Sequence, residues 1–323
     1  MLLDLIYVFG GFALLLWGAD RFVLGAAATA NILGVPPMLI GLTVVGFATS
    51  APEIMVSISA ASNGLTSMAL GNAIGSNIAN IGLVLGTCAL IRPISGQLSG
   101  TLDKELPILV LLTPATIVLF LDDHISRIEA TILLTGLAVF LGWMTRLGLN
   151  MSAASDPIAQ EISDEIPQDI TIGWASVWIA LGFATLLAGA ELLVTGAESL
   201  AQTFGLSELI IGLTVIAIGT SLPELAVSLV AAVKGDTGIA VGNVIGSNVF
   251  NLLAVVGIAG WINPADLSDS IRTFHYPVMI GFTVPLLLIA YNPFGNKGLS
   301  RGMGFLLLAA FCAYQVILLN QAH

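Results

Sequence analysis

Charged residues are scarce in this sequence. Asp, Glu, Lys and Arg together make up 9% of the 323 residues, whereas hydrophobic residues make up 57%. A soluble domain has about 25% charged residues, which keep its surface in contact with water. A chain of this length with so few charges cannot cover a soluble core. The composition therefore predicts a protein embedded in a lipid bilayer.

Basic runs, histidine clusters and cysteine pairs are also missing. Without a basic run, the sequence lacks the usual sign of nucleic-acid binding. Cys88 and Cys312 lie in apolar stretches without the spacing of metal ligands, so a soft-metal site is not predicted. Five of the acids behind the net charge of −11 lie in one segment, which we interpret as a solvated linker: positions 156, 161, 164, 165 and 169.

Long apolar stretches predict the fold. A membrane-spanning helix needs about 20 mostly apolar residues, and residues 22–52 and 54–91 hold no charged side chain. Helix breakers at 34–37 and 62–64 divide these blocks. The pattern predicts an all-α membrane protein with ten transmembrane helices, at about 2–33, 37–62, 67–90, 105–121, 125–147, 171–203, 207–233, 238–262, 274–291 and 302–320.

The sequence repeats itself across an acidic segment. Residues 41–61 match 212–232 at 12 of 21 positions, and residues 69–80 match 240–251 at 8 of 12, both at an offset of 171. We therefore predict two five-helix repeats, at 1–147 and 171–323, joined by the linker 148–170. Because five is odd, the second repeat must enter the membrane in the opposite sense. Inverted repeats of this kind build secondary transporters with a site at their interface.

The basic residues near helix ends predict the orientation of the chain. One side of the membrane would hold most of them: Arg92, Lys104, Arg146, Lys234, Lys297 and Arg301. The other side would hold Arg127 and Arg272. Since the side richer in Lys and Arg faces the cytoplasm, both termini are expected outside and the linker 148–170 inside. The compact chain suggests a prokaryotic plasma membrane, the inner membrane.

Two acids lie deep within apolar stretches of the repeat. Glu53 follows Pro52, and Glu224 follows Pro223 in the matching position. A carboxylate at such depth costs several kcal/mol unless it is paired or solvated, so it predicts a functional site. Neighbouring hydroxyls within about one helical turn are candidate ligands: Thr49, Ser50, Thr220 and Ser221. Proline disturbs the turn before it, so the carbonyls of Gly46 and Ala217 are further candidates.

The second repeated motif adds amides and hydroxyls at a spacing of four residues, hence on one helix face. We predict four of them as ligands: Ser76, Asn80, Ser247 and Asn251. Serine and asparagine also bond helices to one another in membranes, and we predict that packing role for another four: Asn72, Asn77, Asn243 and Asn248. The glycines at the same spacing allow close helix approach: Gly71, Gly75, Gly242 and Gly246.

This inventory of carboxylate, hydroxyl, amide and carbonyl oxygens suits hard cations such as Ca2+, Mg2+ and Na+. Ca2+ takes six to eight oxygens in a flexible shell, whereas Mg2+ demands a rigid octahedron and keeps several waters. A dehydrated site of this composition therefore favours Ca2+ and Na+ over Mg2+.

The paired motifs resemble a known family. The segments GFATSAPE and GTSLPE, followed by GNAIGSNIAN and GNVIGSNVFN, are similar to the two alpha repeats of the sodium/calcium exchangers, within the calcium/cation antiporter superfamily. The resemblance covers nearly the whole chain. It implies Ca2+ exchange for Na+ by alternating access, with spans 2–33 and 171–203 sliding against the rest. It also implies that Glu53 and Glu224 are the central acids and that hydroxyls contribute oxygens: Thr49, Ser50, Ser76, Thr220, Ser221 and Ser247.

Some members of that family hold Asp at one of the two positions that correspond to Asn80 and Asn251. This sequence has an amide at both. With two carboxylates, one Ca2+ or two Na+ neutralise the site. A third Na+ and a K+ requirement stay open, and protons on Glu53 and Glu224 could serve as the counter-ion. The prediction is Ca2+/Na+ antiport, and the alternative is antiport of H+ against Ca2+ or another divalent cation.

Other function classes fit less well. A cation channel usually assembles its filter from several subunits around an axis, whereas this repeat lies within one chain. An intramembrane hydrolase needs a base beside its nucleophile, and Ser50 has no neighbouring histidine or lysine. We expect no enzymatic activity, no cofactor, no nucleic acid and no obligatory protein partner. The expected partners are the lipid bilayer and the transported ions Ca2+ and Na+.

Overall fold

The computed structural model describes residues 2–33, 46–95, 102–149, 170–203, 205, 207–234, 237–291 and 298–321. Within these ranges the chain is mostly helical, as the composition predicts. The linker 148–170 lies almost entirely outside the described residues, as does the start of the second predicted span. Short strands, which the sequence did not predict, join the helices at two places.

The described residues of the first half form five helical units. Helix α1 is Leu2–Leu33, and α2 consists of Gly46–Thr49 and Ala51–Ser62. Helix α3 runs as Thr66–Ala79, continues through the π-helical turns Asn80–Leu85 and ends as Gly86–Ile91. Helices α4 and α5 are Leu102–Val118 and Arg127–Leu149. All lie close to the predicted spans.

The second half follows the same order. Helix α6 is Ile172–Thr203. Helix α7 runs through Glu208–Ile211, the π-helical Gly212–Ile216, Ala217–Thr220 and Leu222–Lys234. Helix α8 consists of Thr237–Phe250, the π-helical Asn251–Val255 and Val256–Ile262. Helix α9 joins Ile271–His275 to Tyr276–Tyr291, and α10 is Arg301–Gln321.

Five stretches among the described residues are long and apolar enough to cross a membrane: Thr66–Ile91, Arg127–Arg146, Leu209–Leu229, Ala240–Ile262 and Arg301–Asn320. They differ in where they lie. The stretches of α3, α7 and α8 are mostly buried inside the protein, whereas those of α5 and α10 are mostly exposed. The exposed side chains of the outer helices include large apolar ones such as Ile128, Val139, Phe305 and Leu306. A lipid environment accommodates such a surface, because it offers no water to the apolar side chains.

Helices α1 and α6 pack along each other. Their backbones are so close that a Cβ added at Gly11 would lie 2.8 Å from the Gly189 carbonyl oxygen, and one at Gly189 would lie 2.9 Å from that of Gly11. These two glycines occupy equivalent places in the contact, each facing the other helix. The pair therefore packs with close to two-fold symmetry.

Two pairs of short strands connect the halves of the chain. Strand β1, Ile94–Ser95, pairs antiparallel with β4, Gly298–Leu299. Strand β2, His124–Ile125, pairs antiparallel with β3, Ala265–Asp266. In each pair, the strand after the third helix of one half meets the strand before the fifth helix of the other. The centres of α3 and α8 also contact each other.

Candidate cation site

The two helices that carry the buried acids, α2 and α7, are each interrupted directly after a threonine, Thr49 or Thr220. Ser50 has φ −84° and ψ 0°, and Ser221 has φ −82° and ψ 2°. Both residues precede a helix with proline in its first turn, where the missing N–H of proline is tolerated. The same break thus recurs in α2 and α7 at positions 171 residues apart. The serine at each break and the acid three residues later are both buried.

Glu53 and Glu224 are fully buried, with 0% of each side chain exposed. None of their four carboxylate oxygens accepts a hydrogen bond of normal geometry from the residues that the structure describes. The two carboxyl groups are close enough for their charges to interact. Burying two unpaired carboxylates together is unfavourable unless a positive charge or protons neutralise them.

The threonines before the breaks reach across to the opposite half. The Thr220 hydroxyl donates to Asn72 Oδ1 at 3.1 Å and lies 3.4 Å from Ser76 Oγ. The Thr49 hydroxyl donates to Asn243 Oδ1 at 3.2 Å and lies 3.3 Å from Ser247 Oγ. Each half therefore supplies a hydroxyl to the other, and four of the predicted ligands meet in pairs across the halves: Thr49 with Ser247, and Thr220 with Ser76.

The asparagines that receive these hydroxyls also hold the acidic helices. Asn72 Nδ2 donates to the Glu53 carbonyl at 3.2 Å, and Asn243 Nδ2 donates to the Glu224 carbonyl at 3.3 Å. The same amides donate to two serines that the sequence reasoning missed: Ser57 at 3.3 Å and Ser228 at 3.0 Å. Those serines occupy matched positions of the repeat, and that match was the signal that could have revealed them.

Asn80 and Asn251 are fully buried, each at the start of a π-helical turn one helical turn after Ser76 and Ser247. Asn80 Nδ2 donates to Asn248 Oδ1 at 3.0 Å, which joins α3 to α8. Asn80 Oδ1 and both polar atoms of the Asn251 amide have no hydrogen-bond partner among the described residues. Such local π-helical turns are frequent at functional sites.

Close helix contact brings these groups together. A Cβ added to Gly75 would lie 2.6 Å from Ala217 Cβ and 2.9 Å from the Leu213 carbonyl oxygen, so only glycine fits between α3 and α7. At this contact the Ala217 carbonyl accepts the Ser76 hydroxyl at 3.4 Å and the Ser221 N–H at 3.2 Å. Gly46 begins the short first piece of α2.

The buried polar atoms without partners are concentrated at the predicted ligands. Among the described residues they include the hydroxyls of Ser50 and Ser221 beside the two carboxylates. The described residues contain no cluster of three His, Cys, Asp or Glu side chains that could hold a metal ion. The centre is therefore a mixed set of carboxylate, hydroxyl and amide oxygens, which fits hard cations such as Ca2+ and Na+. Buried acids beside unpaired oxygen ligands inside long apolar helices are typical of an ion pathway through a membrane.

Known proteins resemble this chain along nearly its whole length. The family model for the sodium/calcium exchanger protein matches it over residues 3–146 and again over residues 174–320. The putative antiporter CaxA of Alkalimonas amylolytica is 44% identical over 320 residues, covering 99% of this chain and 100% of that protein. The inner membrane protein YrbG of Escherichia coli strain K12 is 35% identical over 319 residues, covering 98% and 97%.

A solved structure is similar as well. The sodium-calcium exchanger NCX_Mj, soaked with 100 mM Na+ and 10 mM Sr2+, superimposes with a TM-score of 0.73 at 32% sequence identity, over 98% of each chain. The chain belongs to the sodium/calcium exchanger family, whose members are membrane antiporters of cations. The resemblance inferred from its two motifs is thereby confirmed.

Proposed function

We propose that this protein exchanges Ca2+ for Na+ across the membrane by alternating access. One observation carries the proposal: Glu53 and Glu224 are fully buried, their charges are near enough to interact, and their carboxylate oxygens accept no hydrogen bond of normal geometry from the described residues. A cation that occupies the space between them satisfies both charges. The proposed ligands are the two carboxylates together with Thr49, Ser50, Ser76, Asn80, Thr220, Ser221, Ser247 and Asn251, and the carbonyls of Gly46 and Ala217.

The charge of the site limits the stoichiometry. Two carboxylates carry two negative charges, which one Ca2+ or two Na+ neutralise. A third Na+ has no matching acid, because Asn80 and Asn251 are neutral amides. Leaving an uncompensated charge in a buried site is costly, so we propose the exchange of two Na+ for one Ca2+.

Protons are the alternative counter-ion. Two protons on Glu53 and Glu224 neutralise the site as well as two Na+ do. The unpaired hydroxyls of Ser50 and Ser221 favour Na+, because an ion coordinated by several oxygens uses them and a protonated carboxyl does not need them. H+/Ca2+ antiport is therefore the second candidate.

We further propose that the membrane arrangement is ten transmembrane helices in two inverted repeats, 1–147 and 171–323. The recurrence of hydrogen bonds at an offset of 171 residues, the reciprocal strand pairs and the double match to one family model support it. In this arrangement α1 and α6 are the moving pair, the linker 148–170 is cytoplasmic and both termini lie outside. The inner-membrane description of the Escherichia coli relative supports a prokaryotic plasma membrane.

The test is Ca2+ uptake into proteoliposomes that contain the purified protein. An outward Na+ gradient should drive 45Ca2+ uptake, and the variants Glu53→Gln and Glu224→Gln should abolish it. The matched control is Glu191→Gln, because Glu191 lies on α6 with an exposed side chain. Uptake driven by an H+ gradient alone would favour the second candidate. Uptake without any counter-ion gradient, or unchanged in the acid variants, would overturn antiport at this site.

A further inference from the structure

Asn72 and Asn243 occupy an unusual position between the two halves. Each asparagine is buried and contacts three segments: the backbone that carries the acid of its own half, a serine one turn further along, and the threonine of the other half. Packing alone requires no particular orientation of the amide. The contacts of these two amides fix one.

The carbonyl oxygen of Glu53 determines how the Asn72 amide is turned. A backbone carbonyl only accepts hydrogen bonds, so the amide group that faces it at 3.2 Å must be the NH2 end. The other end, Oδ1, is then an acceptor and faces the Thr220 hydroxyl at 3.1 Å. Thr220 must therefore donate in this contact, since Oδ1 has no hydrogen to give.

A hydroxyl has one proton and two lone pairs. The Thr220 hydroxyl lies within interaction range of both Asn72 and the Glu53 carboxyl. If its proton goes to Asn72 Oδ1, it cannot also go to Glu53, and the Glu53 oxygens indeed lack a donor of normal geometry among the described residues. The lone pairs of Thr220 and the charge of Glu53 then both remain available to a cation.

The second half repeats this arrangement. Asn243 Nδ2 faces the Glu224 carbonyl at 3.3 Å, and Asn243 Oδ1 receives the Thr49 hydroxyl at 3.2 Å. The Thr49 hydroxyl also lies near enough to interact with the Glu224 carboxyl. In each half, the asparagine oxygen thus offers the threonine of the opposite half an acceptor other than the acid.

We infer that Asn72 and Asn243 are positioning residues, which orient the hydroxyls of Thr220 and Thr49 so that they act as cation ligands and leave Glu53 and Glu224 free to bind. This inference rests on the proposed function and extends it. It predicts a specific pairing across the halves: Asn72 acts through Thr220, and Asn243 acts through Thr49. A general packing role predicts no such pairing.

Double-mutant cycles test the pairing through the KM for Ca2+ in proteoliposomes. Asn72→Leu and Thr220→Val each remove the polar atoms at similar volume, and each should raise KM about tenfold, as expected for a lost buried hydrogen bond. The effects of the two substitutions on KM should multiply to clearly less than a hundredfold in the double variant, because Thr220→Val has already removed the hydroxyl that Asn72 orients. The matched control is Asn72→Leu with Thr49→Val, whose effects should multiply to about a hundredfold.

A positioning role and a general packing role give different outcomes in these cycles. If the effects on KM multiply equally in the Asn72–Thr220 pair and in the Asn72–Thr49 control pair, the positioning role is overturned. A loss of kcat without a change in KM would overturn it as well. A wild-type protein that neither binds Ca2+ nor exchanges it for Na+ refutes the proposed function instead. Thermal unfolding and elution from a sizing column report folding. If Asn72→Leu does not fold, Asn72→Ala and the mirrored cycle of Asn243 with Thr49 decide, and multiplicative effects there also overturn the inference.

Discussion

The centre and the periphery of this molecule differ in where they keep polar and apolar side chains. Helices α3 and α8 are mostly buried yet carry serine and asparagine at their core, whereas α5 and α10 are mostly exposed and carry large apolar side chains. A soluble protein shows the reverse distribution. It follows that lipid solvates the outer helices and that the polar atoms inside must have partners of their own or an ion.

The largest expected effect comes from removing charge at the centre. Glu53→Gln and Glu224→Gln each replace a buried carboxylate by an amide of similar size, so the site can no longer neutralise a divalent ion. We expect Na+-driven Ca2+ uptake to fall at least about a hundredfold, since the lost interaction of a buried ion pair is about 3–5 kcal/mol. The measurement is the initial rate of 45Ca2+ uptake, and residual uptake above about a tenth of the wild-type rate would argue against the assignment.

Glycine substitutions probe the same contrast, because the two regions should respond with opposite sign. An alanine at Gly75 in α3 clashes with Ala217 and Leu213, whereas Gly142 in α5 has nothing within 4 Å of an added Cβ. Gly75→Ala should destabilise the protein by about 1–3 kcal/mol through overpacking. Gly142→Ala should leave stability unchanged or raise it by up to about 1 kcal/mol through helix propensity.

Thermal unfolding in detergent, followed by intrinsic fluorescence, measures both glycine variants. Each should be compared with the wild-type protein in the same buffer and ion concentrations, because bound ions stabilise the folded state. Equal changes of Tm in the two variants would contradict the close α3–α7 contact.

A change of the central charge should alter the coupling to membrane potential. Both amide atoms of Asn251 lack partners among the described residues, so Asn251→Asp adds a third carboxylate without breaking a hydrogen bond. The wild-type exchange of two Na+ for one Ca2+ moves no net charge and should not depend on potential. In the variant, a third Na+ leaving per Ca2+ should make uptake faster with the vesicle interior positive, by up to about fiftyfold for one charge that crosses about 100 mV.

The measurement is uptake in vesicles whose potential is set by a K+ gradient and valinomycin. The wild-type protein in the same vesicles is the control. A wild-type rate that follows the potential would contradict the two-for-one stoichiometry.

The smallest expected effect lies at the rim of the protein, where Arg272 binds Asp123 through two hydrogen bonds of 2.7 Å and 2.9 Å. Arg272 lowers the pKa of the Asp123 carboxyl below its ordinary value. A lowered folded-state pKa stabilises the fold above the ordinary value of about 3.9 and loses that contribution as pH falls through the folded-state pKa.

Arg272→Gln should therefore lower Tm slightly at pH 7, and the difference from wild type should shrink towards pH 3. Thermal unfolding at both pH values measures it, with Arg301→Gln as a control on an exposed arginine that has no carboxylate partner among the described residues. A difference that grows as pH falls would contradict the ion pair.

The sequence was sufficient to place most of the helices and to single out the buried acids, because apolar length and repeated polar positions are local signals. Glu53, Glu224 and their neighbouring hydroxyls could be predicted as one group from the repeat. The hydrogen bonds between the two halves could not be predicted, because the residues on one helix face do not show which distant helix that face contacts. For that reason Asn72 and Asn243 were predicted as packing residues only.

Other features escaped prediction for local reasons. The π-helical turns at Asn80 and Asn251 depend on one extra residue per turn, which apolar periodicity does not resolve. The two-residue strands are shorter than any run that alternation can identify. Ser57 and Ser228 were within the matched repeat, but their role became visible only when the Asn72 and Asn243 amides were seen to reach them.

Ca2+ binding to the purified protein, titrated with Na+, tests the paired-acid site without the complications of transport. A shared site at Glu53 and Glu224 predicts one Ca2+ bound per chain, displaced by Na+ with a Hill slope of about two because two Na+ replace one Ca2+. It also predicts no Ca2+ binding in Glu53→Gln or Glu224→Gln. Ca2+ binding that persists in both acid variants, or that Na+ does not displace, would contradict such a site.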